Sequence, residues 1–322
     1  MKAAVRSKFG LPGDLTIKEI DKPTPMENEV LVKVYASTVN RSDVHVLSGE
    51  PKYMRLFVGF SKPKEAIIGS DFTGQVEAVG SAVKAFKPGD KIMGFGGVFG
   101  CGAHAQYFVL SEKKAIEYMV LMPGNLDYEQ AAACLEGTFY AASGINQIKP
   151  KAGEKALVYG ATGAIGTAYV QLLKYYGVYV TAVCENKNFV LVRSLGADKM
   201  IDYKTEDFTK DNEQYDYVFD AVGKKTFFEC KSLLNKKGKF SSSGGLSNIF
   251  LAMITPLFGG KKVLFGAPKD IAGELNFIKG LIEQGKYKPV IDRKYPLEKI
   301  AEAYTYVASG QKIGNVIITM ND

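Results

Sequence analysis

At 322 residues the chain exceeds what one hydrophobic core organises, and a typical domain size of about 150 residues predicts two domains, which excludes a single small binding module. With 46% hydrophobic and only 23% charged residues, including 18 Tyr and 19 Phe, it has apolar material for ordinary cores, which excludes global disorder. The formal charge of +7 comes from 41 basic and 34 acidic residues, but the pairs Lys113-Lys114, Lys224-Lys225, Lys236-Lys237 and Lys261-Lys262 are dispersed, the pattern of a solvated surface rather than a nucleic-acid face.

The opening Met1-Lys-Ala-Ala-Val5 runs directly into an alternating strand pattern, with no charged region, apolar region and cleavage site in succession. No secretion signal is expected, and a cytoplasmic location is. Residues 1 to about 120 hold short alternating segments, such as Glu29-Val-Leu-Val-Lys-Val-Tyr35, separated by Pro and Gly clusters, which predicts a β-rich, barrel-like module. From Ala156 the texture changes. Apolar runs at 156–159, 179–183, 200–203 and 217–219 alternate with helix-compatible segments, which predicts βαβ units and a parallel sheet. The first helix of that region is predicted over about 164–176, stopped by Gly177. The most apolar stretch, 249–265, is broken by Pro256 and Gly259-Gly260 and carries Lys261-Lys262, so it is too interrupted to span a bilayer. It reads as a buried helix and a following strand, or a wall of a pocket, and no membrane partner is expected. An amphipathic helix over 297–308 and a strand over 315–319 end the pattern.

The strongest local signal is Leu157-Val-Tyr-Gly-Ala-Thr-Gly-Ala-Ile-Gly166, between a buried strand and a good helix. Gly163 permits close approach of backbone to a pyrophosphate, Gly166 lets the helix pack tightly on the strand, and the free N–H groups of the helix start face the anion. Ala161 replaces the first glycine of the usual G-x-G-x-x-G, so a plain strand-to-helix turn is the alternative. About twenty residues on, the next strand ends in Cys184-Glu185-Asn186-Lys187. An acidic residue at that tip binds the ribose hydroxyls of NAD. Here the tip is Cys184, with Lys187 close by to accept an extra phosphate, which favours NADP. Glu185, one residue away, argues for NAD, and that choice stays open.

The four cysteines, Cys101, Cys134, Cys184 and Cys230, show no C-x-x-C spacing, and His45 and His104 are the only histidines. Reduced thiols and no metal are expected, with both histidines in packing or hydrogen-bonding roles.

Further motifs follow in order: Val30-Leu-Val-Lys-Val-Tyr-Ala-Ser-Thr-Val-Asn-Arg-Ser-Asp43, Gly69-Ser-Asp-Phe-Thr-Gly-Gln-Val-Glu-Ala-Val-Gly80, Phe86-Lys-Pro-Gly-Asp90, Gly102-Ala-His-Ala-Gln-Tyr107, Ser194-Leu-Gly-Ala-Asp-Lys-Met-Ile-Asp-Tyr203 and Asp220-Ala-Val-Gly223. Through them nearly the whole chain resembles the medium-chain dehydrogenase/reductase superfamily, in its zinc-free quinone oxidoreductase-like branch. The resemblance implies an α/β protein with a Rossmann doubly wound parallel sheet plus a GroES-like β-rich catalytic domain. The catalytic domain would cover 1–122, completed by about 294–322, with the Rossmann domain at 123–293. A homodimer through the Rossmann domains is also implied.

Zinc-dependent members of the superfamily carry catalytic ligands that are a Cys where this chain has Asn40 and a His where it has Ser70. The four-Cys structural zinc lobe is also missing, since the segment after Phe95 offers only Cys101. An amide and a hydroxyl do not replace a thiolate and an imidazole as tight zinc ligands. Without a Lewis acid to lower an alcohol's pKa, hydride delivery from a reduced nicotinamide to a quinone or an α,β-unsaturated carbonyl is the feasible chemistry. The partner is then a small electrophilic molecule. Asn40 is the candidate for polarising the substrate, or a buried amide pinning the turn before the Asp43 helix. By resemblance Thr138 lies by the nicotinamide ribose. Gly163, Ala164 and Ile165 lie on the pyrophosphate, Lys187 and Tyr203 around the 2′-phosphate, and Val222, Gly223, Ser243 and Gly244 along the cofactor, with Ala161, Thr162 and Cys184 also expected to bind it. Asn315 would close the site from the last strand. Tyr53 and Tyr140 are possible proton donors, and Asp43 reads as a helix-cap acid. Two other readings remain, a non-catalytic NADP(H)-binding sensor and a zinc alcohol dehydrogenase.

Overall fold

In the computed structural model, which describes residues 1–97, 99–265 and 270–320, the chain divides into two compact units, Met1–Glu136 with Asp270–Asp322, and Gly137–Lys269. The alternating segments of the first part become strands β1 (Lys2–Val5), β2 (Thr16–Glu19), β3 (Glu29–Val39), β4 (Asp71–Val79), β5 (Lys91–Phe95), β6 (Tyr107–Ser111) and β7 (Met119–Leu121). The second unit carries β8 (Lys155–Tyr159), β9 (Tyr179–Cys184), β10 (Lys199–Asp202), β11 (Tyr215–Asp220), β12 (Leu234–Ser242) and β13 (Lys262–Leu264), and β14 (Ile291–Pro296) and β15 (Asn315–Thr319) return to the first.

The division differs from the boundaries expected at 122/123 and 293/294. The helix Tyr128–Ala132 belongs to the first unit because Tyr128 stacks on Tyr35 of β3 at 4.5 Å and its carbonyl accepts from Thr73 of β4 at 2.8 Å. The helix Ile271–Glu283 belongs there too, with the Ile282 carbonyl bound by Asn125 at 2.9 Å.

In the first unit β3 is the organising strand. Its alternating and β-branched residues suit a pleated surface, and it pairs with β15, β4 and β6 in a sheet ordered β14-β15-β3-β4-β5-β7. Val30, Val32, Val34, Phe72, Ile92, Val316 and Ile318 of the sheet meet Ile300 and Tyr304 of the helix Ile300–Ala308 in one buried cluster. Burying a side chain such as Phe72 contributes about 2–3 kcal/mol.

The second unit is a wholly parallel sheet of order β10-β9-β8-β11-β12-β13. Numbered within the unit this is 3-2-1-4-5-6, the doubly wound order, with its direction reversing between β8 and β11. The helix Ala164–Tyr175 starts after Gly163 and stops at Tyr176, where Gly177 takes φ +74°.

The apolar stretch after β12 forms the helix Leu246–Ile254, a short 3-10 turn Thr255–Leu257 and β13, but the helix is not buried as expected. Leu251 and Ala252 pack on the core, whereas Phe250, Met253, Leu257 and Phe258 face outward. The three-residue edge strand β13 gives the helix one surface to cover and none on its other side.

Candidate functional site

At the reversal of strand order, the loops after β8, β11 and β12 converge. A Cβ on Gly160, which sits at φ +78°, would lie 2.3 Å from Val222 Cγ2, and one on Gly223, at φ +77°, would lie 3.3 Å from Gly244 Cα. Only glycine permits both the left-handed backbone and this approach. A Cβ on Gly166 would lie 2.1 Å from the Gly160 carbonyl, so the helix presses directly on the loop. A Cβ on Gly163 would meet nothing nearer than that carbonyl at 3.7 Å, leaving open space over the helix start. The first helical N–H groups, at Ala164, Ile165 and Gly166, have no partner within the helix and form an anion cradle. These residues fit a dinucleotide pyrophosphate.

The other expected contacts divide. Ala161 is buried and its N–H donates to Val183 O at 3.3 Å, so its amide is already engaged. Val222 and Gly223 are held by Asp220, whose carboxylate accepts from both N–H groups at 2.9 Å, from Lys225 N at 2.7 Å and from Ser242 Oγ at 3.1 Å. Thr162 lies in the loop, and Ser243 and Gly244 follow β12 beside Gly223. Thr138 is buried in the first turn of the helix Glu136–Ile148, where Gly137 approaches so closely that a Cβ there would lie 2.7 Å from Ala164 Cβ.

At the tip of β9, Cys184 points inward, and burial pushes its thiol up to about 11. Glu185 faces outward and gathers its neighbours. Lys187 Nζ lies 2.9 Å from it, Lys204 Nζ 3.3 Å, and Tyr203 Oη donates to it at 3.0 Å. Lys187 first and Tyr203 next hold the Glu185 carboxyl down to about 2. Lys187 and Lys204 flank this carboxylate, and Asp202, at the end of β10 opposite Cys184, brings a second one, its Oδ1 accepting from Lys204 N at 2.9 Å. Lys204, which the sequence reading did not single out, is the corner's second cation.

The first unit holds a buried polar cluster. Asn40 is the N-cap of the helix Arg41–Ser48, and its N–H donates to Asp43 Oδ2 at 2.8 Å, so Asp43 caps that helix. The Asn40 side-chain NH2 donates to Thr38 Oγ1 at 2.5 Å and to Asp71 Oδ2 at 3.2 Å. This is the pinning role; the amide donors are committed inside the protein. Ser70 Oγ donates to Glu136 Oε2 at 2.5 Å, and Ser42 donates to Glu136 Oε1. Burial first, and the Asp71 charge second, push the Glu136 carboxyl up to about 7, and burial with Glu136 and Asp71 raises Asp43 strongly. Asp71 and Glu136 escaped the sequence reading.

Asn315 is buried, and its amide donates to the Ala133 carbonyl at 2.9 Å and the Val290 carbonyl at 3.1 Å, so it ties β15 to two neighbouring segments. Tyr53 lies in the short 3-10 helix Lys52–Met54, and Tyr140 packs edge-on against Phe139. His45 Nδ1 meets the Glu50 carbonyl at 2.8 Å. Among the described residues no group of three or more His, Cys, Asp or Glu is arranged to hold a metal ion, and the described cysteines are unpaired.

His104 is wholly buried, with Nε2 at 3.0 Å from the Thr38 carbonyl and Nδ1 at 3.1 Å from Tyr304 Oη. The carbonyl only accepts, so Nε2 carries the proton and Nδ1 accepts from Tyr304. Burial pushes this imidazole down to about 4. The unfolded chain takes up a proton near pH 6.5 that the folded chain refuses until pH 4, so this contribution is intact above pH 6.5 and is lost as pH falls toward 4. Urea unfolding at pH 7 and pH 5 is expected to show wild type losing about 2 kcal/mol more across that interval than His104→Gln. Equal losses would place the neutral imidazole elsewhere.

The geometry defines a two-unit protein with a doubly wound dinucleotide crevice in one unit and a β-rich polar cluster in the other. The alcohol dehydrogenase GroES-like domain family matches residues 26–121, and the zinc-binding dehydrogenase family matches 195–318. The chain is 33% identical over 310 residues to "Quinone-oxidoreductase QR1, chloroplastic" of Triphysaria versicolor, covering 93% of this chain and 92% of that protein. It is 32% identical over 325 residues to "NADPH-dependent alkenal/one oxidoreductase, chloroplastic" of Arabidopsis thaliana, covering 99% and 79%. The solved quinone oxidoreductase of Coxiella burnetii superposes with a TM-score of 0.88 at 24% identity, covering 100% and 99%, which speaks for the fold. The chain belongs to the medium-chain dehydrogenase/reductase superfamily, in its quinone oxidoreductase-like branch. Its β-rich unit is GroES-like and its parallel unit is a Rossmann domain. No helix of the described residues is long and apolar enough to cross a membrane.

Proposed function

We propose that the protein is a metal-independent reductase that uses NADPH to reduce quinones or α,β-unsaturated carbonyls, small molecules whose carbon is already electrophilic. When bound, the reduced dinucleotide supplies the hydride. The observation that carries this reading is the glycine-lined crevice at the strand-order reversal, open over Gly163 and closed under Gly166. The Ala164 and Ile165 N–H groups face the pyrophosphate, the Val222-Gly223 and Ser243-Gly244 turns line the nucleotide, and Thr138 stands on the nicotinamide side. Asn40 acts as a positioning residue, fixing the turn through Thr38 and Asp71. Asn40 and Ser70, at the positions of thiolate and imidazole ligands in zinc-dependent relatives, offer an amide and a hydroxyl, which favours acceptors that need no Lewis acid. The names of the relatives, quinone and alkenal/one oxidoreductases, support the same substrate class.

The choice of NADPH rests on Lys187 and Lys204, two ammonium groups brought together at the ribose corner. A 2′-phosphate carries nearly two negative charges at neutral pH. Steady-state oxidation of NADPH and NADH with a panel of quinones and short enals tests both parts. Lys187→Ala is expected to raise the KM for NADPH about tenfold and to leave that for NADH within about twofold, with the difference shrinking as salt rises. If wild type prefers NADH and Lys187→Ala affects both alike, Glu185 is the ribose ligand. Tight binding with no turnover on any acceptor would replace the reductase by a cofactor sensor.

A further inference from the structure

Arg6, just after β1, is 2% exposed, and its guanidinium is spent on backbone. Nη1 donates to the Val46 carbonyl, in the helix Arg41–Ser48, and Nε to the Glu65 carbonyl at 3.1 Å, while the Arg6 N–H donates to the Ala66 carbonyl at 2.9 Å. Val46 and Glu65 are the two feet of the loop 47–64, so one side chain holds both ends of that loop together. Burying a guanidinium is costly unless its donors are met, and its rigid fork spans two carbonyls where a point charge would not. A second arginine braces the loop from within. Arg55 Nε donates to the Gly49 carbonyl at 3.2 Å, and Nη2 reaches Glu50 Oε1 at 3.5 Å. The Phe9 ring meets both guanidinium groups, Arg6 at 5.5 Å and Arg55 at 5.0 Å.

The loop held in this way presents aromatic surface to solvent. Val58 is buried in the core of the first unit, but Phe57 beside it is 54% exposed and stacks on Phe99, itself 45% exposed, with ring centres 5.3 Å apart and planes within 16°. Leu56 and Phe60 in the same loop are also exposed. The segment that carries Phe99 is fixed against Ser70 and its neighbour. The Gly96 N–H donates to the Ser70 carbonyl at 2.7 Å, the Cys101 N–H to the Gly69 carbonyl at 2.8 Å, and a Cβ on Gly100 would lie 3.0 Å from that second carbonyl. Phe57 follows the helix that supplies Ser42. The two rings thus extend from the elements whose hydroxyls, Ser42 and Ser70, hold Glu136. An aromatic pair left open beside a buried polar cluster is a surface suited to a flat apolar ligand.

We propose that the Phe57–Phe99 stack selects the electron acceptor, with Arg6 and Arg55 as the positioning residues that hold its loop. The acceptors it favours are quinones and enals that carry a fused or attached aromatic ring, ahead of those that carry none. The inference rests on the reductase reading. A third ring between the two would need a centre-to-centre distance of about 7 Å, twice the contact distance of about 3.5 Å, so 5.3 Å leaves no room for one. The acceptor therefore extends the stack from its open side, ring on ring. A short aliphatic enal has no such face to offer, and the contact discriminates by its absence.

Two matched pairs of acceptors test this, naphthoquinone against benzoquinone and cinnamaldehyde against crotonaldehyde, each read as a ratio of kcat/KM. The change in that ratio between wild type and variant cancels the intrinsic reactivity of the acceptors. Phe57→Ala and Phe99→Ala are each expected to lower the ringed-to-ringless ratio about tenfold, chiefly through KM, with thermal unfolding unchanged. Arg6→Lys keeps the charge and loses the fork. It is expected to lower the ratio by a similar factor while the KM for NADPH stays within about twofold, a split that loss of stability alone does not produce. Arg55→Lys, at the more exposed brace, repeats that reading where folding is not at stake. Ratios that both phenylalanine variants retain overturn the selection, and ratios that both lysine variants retain overturn the positioning. A wild-type dimer that Phe57→Ala dissociates would give the pair to a second copy and overturn it as well. Binding separates all this from the reductase reading. Cinnamamide and crotonamide, amides with little of the enals' reactivity, are titrated into the protein with NADP present and followed by NMR. Cinnamamide is expected to bind at least about fivefold tighter to wild type and to lose that advantage in Phe57→Ala. That preference without turnover of any acceptor removes the reductase and keeps the aromatic site, whereas equal binding of the two amides overturns the site whatever is turned over.

Discussion

Gly163→Val is expected to raise the dissociation constant for NADPH by at least about a hundredfold while the protein stays folded. The position has an ordinary backbone, φ −73° and ψ 173°, and the added Cβ would meet only the Gly160 carbonyl at 3.7 Å. The Cβ itself therefore has room, and the branches beyond it are expected to enter the space where a phosphate would approach the Ala164 and Ile165 N–H groups. The loss of glycine at an N-cap costs about 1 kcal/mol, too little to unfold a domain. Gly166→Val supplies the contrast. Its Cβ would lie 2.1 Å from the Gly160 carbonyl and 2.8 Å from Ala161 Cα, both backbone atoms, so this variant is expected to lose the second unit itself. Calorimetric titration with NADPH beside a thermal unfolding curve separates the two. Unchanged affinity in folded Gly163→Val would remove the loop from the binding site.

Asp71→Ala is expected to destabilise the first unit by about 3–5 kcal/mol. Asp71 is wholly buried at the start of β4 and accepts from Thr38 N at 2.8 Å, Thr38 Oγ1 at 2.6 Å and Asn40 Nδ2 at 3.2 Å. Truncation leaves three buried donors without an acceptor, each costing about 1–3 kcal/mol. One effect opposes this, because Asp71 also raises the neighbouring carboxyls Glu136 and Asp43. Removing that repulsion returns at most about 1 kcal/mol, so orphaned donors win. Asp71→Asn keeps an acceptor oxygen and drops the charge. It is expected to lose less than the alanine variant and to move the titration of Glu136 downward from about 7. Urea unfolding reads the first effect and a carboxyl-resolved NMR titration the second. An alanine variant within about 1 kcal/mol of wild type would show that other groups hold this cluster.

What the chain disclosed before folding follows from where its partners lie. The loop 157–166 was legible because its strand, glycines and helix are consecutive, and the helix stop at Gly177 needed only local backbone geometry. For Asn40 the local pattern offered two roles and no means to choose the pinning one, because Asp71 reaches it from β4 and nothing local marks that pairing. Glu136 left a trace, a lone charge after the apolar run Ala131-Ala-Ala-Cys-Leu135, which is the mark of a buried carboxyl seeking hydroxyl partners; it found them in Ser42 and Ser70. Lys204 was invisible because the turn after β10 returns it to Glu185. The outward face of the helix Leu246–Ile254 misled, since hydropathy reports what a residue prefers and not whether the fold supplies a cover.

The pairing of β15 with β3, Val316 against Val39 and Thr319 against Ala36, ties nearly the last residues of the chain to the centre of the first sheet. The second unit, by contrast, is a single uninterrupted segment. A ribosome releases everything the Rossmann unit needs well before β15 leaves the exit tunnel, at a pace of roughly 5–20 residues per second. During that interval β3 has β4 along one edge and β6 on the first part of the other, so the stretch from Ala36 to Val39 keeps open hydrogen-bonding groups until β15 arrives. The inserted unit is therefore complete on the ribosome first, and the enclosing unit waits, with that stretch of β3 open, for β15 to seal it.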